Sequence, residues 1–94
     1  MLTHIVCFKY KRETPESARA DHRSRIASLK TIDGIIDLKS GADVVGSARS
    51  FDTGLIVTFR DRAALDAYQV NPVHVPIAQF GAGLCDQIVA VDFE

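Results

Sequence analysis

The chain has 94 residues, 11 basic and 12 acidic, with a formal charge of −1, the size of one small domain able to fold alone over residues 1–94. That balance, with no polybasic run, argues against nucleic acid, which wants a basic face, and against an anionic membrane surface. Apolar runs are a few residues long, far short of the roughly 20 that a spanning helix needs, and no basic region followed by an apolar core marks a signal peptide.

Leu2 to Tyr10 reads as a strand. Leu2, His4, Val6, Phe8 and Tyr10 share one face, and Thr3, Ile5, Cys7 and Lys9 share the other. Both faces carry apolar groups, so both require cover. Thr14-Pro15-Glu16 opens a helix that runs to about Lys30. Thr14 is the expected cap, Pro15 suits the first turn, and Glu16 complements the positive N-terminal end. Its inner stripe is Ala18, His22, Ile26 and Leu29. Gly34 ends it as a C-terminal turn residue.

Ile35 to Val45 reads as the second strand, with Gly41 marking a bulge or bend. A loop over Gly46 to Asp52 leads into a third strand, Thr53 to Arg60. Asp61 caps a second helix, Arg62 to about Val70, with Ala64, Leu65 and Tyr68 inward. Asn71-Pro72 interrupts it, because proline disfavours the helical region for the residue before it. A short helix then restarts at Pro72 and runs to Phe80, and Gly81-Ala82-Gly83 releases the chain into a last strand, Cys85 to Phe93.

The order β-α-β-β-α-β predicts an α+β, ferredoxin-like domain: a four-stranded antiparallel sheet with both helices on one face. The other face carries Ile5, Cys7, Leu55 or Ile56, and Ile88 or Val89, and the chain has nothing left to cover it. A homodimer pairing two such faces into a barrel-like core is therefore expected. Cys7 and Cys85 have no metal-like spacing and read as small buried hydrophobes in a reducing cytoplasm.

Chemistry concentrates in Tyr68-Gln69-Val70-Asn71-Pro72-Val73-His74-Val75. His74, near a helix N-terminus, is favoured in the neutral form that a general base requires. The competing reading is a structural histidine bonded to the backbone that locks the Asn-Pro turn. Tyr68 either donates to a carbonyl or enolate oxygen or is a satisfied core tyrosine. His4, beside Val6 and Phe8, and His22, beside Ile26, point at the same layer, so these residues are the candidate walls of a pocket for an apolar or aromatic small molecule. Three histidines around one space also raise a metal site, but no Asp, Glu or Cys falls beside them, so none is expected. Asp86 and Asp92, flanking the last strand, and Asp61 and Asp66, on the second helix, read as a cap and solvated faces. No phosphate loop, nucleophile elbow or other pattern calls for a cofactor.

Several stretches resemble the stress-responsive A/B barrel (Dabb) family. They are His4-Ile5-Val6-Cys7-Phe8-Lys9, Thr14-Pro15-Glu16, Asp33-Gly34-Ile35, Gly41-Ala42-Asp43-Val44, Val57-Thr58-Phe59-Arg60-Asp61, Ala64-Leu65 and the Tyr68 to Val75 segment. The Tyr-x-x-x-Pro-x-His-Val piece is the most specific. The resemblance implies a dimeric ferredoxin-like barrel. Most such proteins have no known activity, but one plant member is a polyketide cyclase performing an intramolecular aldol condensation. By motif, Tyr68 and His74 match its substrate-polarising tyrosine and its general base, and His4 matches a first-strand pocket histidine. A further pocket histidine is replaced by Thr53, and aromatic pocket residues fall in the region of His22, Arg23 and Ile26.

Overall fold

A computed structural model describes residues 1–94. The elements are β1 (Leu2–Tyr10), α1 (Glu16–Ala27) ending in a 3₁₀ turn (Ser28–Thr31), β2 (Ile35–Ala42), β3 (Thr53–Phe59), α2 (Arg62–Gln69), α3 (His74–Leu84) and β4 (Cys85–Phe93). The strands form one antiparallel sheet in the order β2-β3-β1-β4, so β1 and β3 are central. This is the split β-α-β arrangement of a ferredoxin-like fold.

Alternation along the strands decides which side each residue takes. His4, Val6, Phe8, Leu55, Val57 and Phe59 are buried towards the helices, where Ile26, Leu29, Leu65 and Tyr68 meet them. Each such apolar side chain contributes about 1.5–3 kcal/mol by leaving water. On the opposite side the register sets Ile5 across from Ile56 and Val91, and Cys7 across from Val89. Ile56, Val89, Val91 and Phe93 remain 40%, 41%, 55% and 51% exposed. Of the alternatives left open by the sequence, Ile56 and Val89 are thus outer, while Leu55 and Ile88 are inner.

Four local expectations change. Thr14 does not cap α1: Pro15 occupies that position, and the Thr14 hydroxyl donates to the Leu84 carbonyl at 3.0 Å, tying the start of α1 to the end of α3. The bulge in β2 falls at Ile35–Asp37 rather than at Gly41, which pairs regularly with Gly54. Cys7 is only half-buried, because it lies on the outer face. Finally, α3 runs straight through Gly81-Ala82-Gly83 to Leu84. Gly81 is there for close approach: a Cβ on it would lie 2.5 Å from His22 Nε2. Gly34, by contrast, takes the expected turn role, with φ at +92° and Ala64 Cβ only 2.8 Å from where its own Cβ would be.

Candidate functional site

Tyr68 is set by α2. The Asp61 carboxylate accepts from the Ala64 amide at 2.8 Å, fixing the helix start, and Ala64, Leu65 and Tyr68 form its buried side. The Asn71 side chain then accepts from the Val73 amide at 2.8 Å, an Asx turn that closes the break ahead of α3. His74 is the first residue of α3, two positions later than Pro72, and its ring lies on Tyr68 with centroids 3.9 Å apart and planes 31° from parallel.

Burial lowers the His74 pKa, and the neighbouring His4 pushes the same way, against the backbone of Gln69 and Tyr68. The neutral ring expected from the helix end therefore has burial as its main cause. His74 Nδ1 is buried without a hydrogen-bond partner in the chain. Burial alone pushes the Tyr68 pKa up to about 12, so its hydroxyl stays protonated at any ordinary pH.

The two remaining histidines are held differently. His4 Nδ1 is hydrogen-bonded to the Asp92 carboxylate directly across the β1–β4 pairing. Its ring centre is 6.2 Å from that of Tyr68 and 6.0 Å from that of Phe59. His22 is 1% exposed. Its Nδ1 is 2.7 Å from the Tyr10 hydroxyl, which lies 3.0 Å from the Thr53 hydroxyl. Burial first, then Arg23, lowers the His22 pKa, opposed by Asp21. No group of three His, Cys, Asp or Glu side chains is placed to hold a metal ion.

A cavity of about 250 Å³ lies between sheet and helices. His4, Val6, Phe8, His22, Ile26, Tyr68 and His74 all line it, together with Ile88 and Ala90 from β4. Two aromatic hydrogen-bonding groups, Tyr68 and His74, thus stand against a largely apolar wall. A larger hollow of about 510 Å³ on the outer side, beside Cys7, Gly54 and Ile56, has no histidine or tyrosine on its walls.

Sequence reasoning missed Asp92, Tyr10 and Gly81. Asp92 had a signal: it is the one charge in the helix-facing phase Ile88-Ala90-Asp92. Tyr10 and Gly81 had none, since both owe their importance to where His22 packs.

The fold has known counterparts. A dimeric ferredoxin-like protein of unknown function from Thermobifida fusca superposes with a TM-score of 0.89 at 22% identity, covering 98% of this chain and 88% of that one. Another dimeric ferredoxin-like protein of unknown function, from a Jannaschia species, gives 0.82 at 27% identity over 99% and 97%. A hydroxynitrile lyase from Passiflora edulis gives 0.87 at 20% identity over 98% and 90%. No curated protein matches the sequence. Residues 2–94 match the stress responsive A/B barrel domain, Dabb, and with that match over nearly its whole length the chain belongs to the Dabb family.

Proposed function

We propose that the chain is a homodimeric acid/base enzyme acting on a small apolar or aromatic molecule that carries a carbonyl or hydroxyl oxygen. His74 is the general base and Tyr68 the hydrogen-bond donor to the oxygen where negative charge develops. His4, Val6, Phe8, His22 and Ile26 form the binding walls. Benzene fills a dry cavity of about 150 Å³, so a volume of about 250 Å³ suits one ring with a substituent. Two sheets meeting through Ile56, Val89 and Val91 make the dimer, in keeping with the dimeric relatives.

The observation that carries this reading is the His74 ring: held neutral by burial, stacked against the Tyr68 ring and lining a cavity. A neutral imidazole beside a protonated phenol is what proton abstraction at a polarised substrate uses. The similarity to a hydroxynitrile lyase adds one chemistry to test: the base takes the hydroxyl proton, the C–CN bond breaks, and the electron pair leaves with cyanide.

Two probes decide it. Mandelonitrile cleavage is followed by benzaldehyde absorbance, and exchange of the acetophenone methyl protons is followed by NMR in D₂O. Turnover of either is expected to fall by about 10²–10⁴ in His74→Ala. That variant loses the ring contact with Tyr68, about 0.5–1.5 kcal/mol, a loss small enough that it should stay folded. Equal rates for native protein and variant would remove His74 from the mechanism. Ligand-induced shifts of cavity resonances without turnover would reduce the site to a binding pocket.

A further inference from the structure

The cavity has one group whose protonation is set from outside it. His4 sits on the helix-facing side of β1 with a side chain only 8% exposed, and its Nδ1 meets the carboxylate of Asp92, which is 36% exposed. The two residues are direct cross-strand partners, so the pairing of two regular strands holds the contact. Asp92 also lines a separate polar hollow with Arg62, Asp66 and Glu94. Arg62 is already engaged there by Asp66 at 3.1 Å. The carboxylate thus stands between solvent and an imidazole that lines the interior cavity.

We infer that Asp92 is a positioning residue: it accepts the Nδ1–H of His4 and thereby leaves Nε2 as a bare acceptor facing the cavity. A carboxylate can only accept, so the proton of a neutral ring must lie on Nδ1. The two nitrogens lie on opposite sides of the imidazole, which turns Nε2 away from Asp92 and leaves it with no bond in the chain. The cavity then presents a donor at Tyr68 and an acceptor at His4, whose ring centres are 6.2 Å apart. The molecule that fits both carries an acceptor oxygen for Tyr68 and a hydroxyl for His4. A hydroxylated ring is therefore preferred to the same ring with its hydroxyl capped. This inference rests on reading the cavity as a ligand site, and it deepens that reading by giving the ligand a required donor.

The test separates the two. The ¹⁵N spectrum of the histidine rings in the whole protein reads the tautomer without any ligand. At about pH 8, His4 is expected with Nδ1 protonated and Nε2 bare. Asp92→Leu should shift the ring towards the Nε2–H form, and Asp92→Asn, which keeps an accepting oxygen, should restore the native pattern. A native ring with Nε2 protonated overturns the inference even if Asp92→Leu fails to fold, and so does an Asp92→Leu spectrum identical to native. Phenol and anisole then probe the consequence by chemical-shift titration. Native protein should prefer phenol by about 3–10-fold, the worth of one net hydrogen bond, and Asp92→Leu should bind the two alike. Equal binding of phenol and anisole by the native protein overturns the acceptor role. If neither ring binds, the ligand-site reading falls, and the spectrum alone still decides what Asp92 does to His4.

Discussion

At the residue scale, two histidines are kept neutral by burial, and that ties stability to pH with a definite sign. His22 and His74 both have folded-state pKa values below the ordinary 6.5, with burial the leading cause in each. Unfolded, each takes up its proton at the ordinary value. Below about pH 6.5 the unfolded chain therefore binds more protons than the folded one, and stability drains away as pH falls through the folded values. Tyr68 works at the other end: with its pKa raised to about 12, its contribution is intact below 10 and is lost as pH rises towards 12. Thermal melts should show Tm highest near neutrality and lower at about pH 5. A Tm unchanged between about pH 7.5 and about pH 5 would show that His22 and His74 are free to charge in place. The sequence made His22 legible as the odd member of an apolar stripe, because helical periodicity alone puts it inside. Its bond to Tyr10 was not legible, because that contact depends on how α1 leans on the sheet.

At the element scale, the Asn71-Pro72 break was readable from local chemistry, and the pair it creates follows from it. Proline at 72 cannot continue α2, so Tyr68 closes one helix and His74 opens the next across a short turn. The glycines further on were misread for a related reason. Gly81 looks like a helix breaker, yet glycine costs an interior helix position only about 1 kcal/mol, and packing outweighs that here. At Gly81, α3 comes close enough to α1 for the backbone to lie on the His22 ring. This gives a test with the opposite sign to helix propensity. Gly81→Ala should stabilise an isolated helix, yet here its methyl would sit 2.5 Å from His22 Nε2, an atom fixed by the bond from Nδ1 to Tyr10. The expected result is a loss of about 1–3 kcal/mol in denaturant unfolding. Gly83 has open space where its Cβ would be, so Gly83→Ala is the matched control and should be neutral or stabilising. A Gly81→Ala protein as stable as that control would mean that α3 shifts freely over His22 and that the cavity roof is not held there.

At the scale of the whole molecule, the sheet decides what the chain does with its second side. Helices cover one face, and the alternation that fills the inner core places Ile5, Ile56, Val89, Val91 and Phe93 on the other. Four of these are 40% or more exposed, which makes a contiguous apolar face rather than scattered surface residues. That second apolar face was legible because the central strands carry apolar residues on both sides. Which of Ile88 and Val89 takes that face was not, since adjacent strand residues differ only by the register with β1. That register now makes the two positions a paired test. Val89→Asp puts a carboxylate on the outer face, where dimer formation would bury it without a partner charge, at a cost of several kcal/mol per ion and twice over in a symmetric interface. Sedimentation at micromolar concentration should show it as a monomer. Ile88→Asp points into the cavity instead, so it should leave the dimer intact while weakening the binding of an apolar ring. Dissociation by Ile88→Asp with Val89→Asp still dimeric would place the interface on the helix side of the sheet, and would mean that the cavity mouth at β4 is itself the surface the second copy covers.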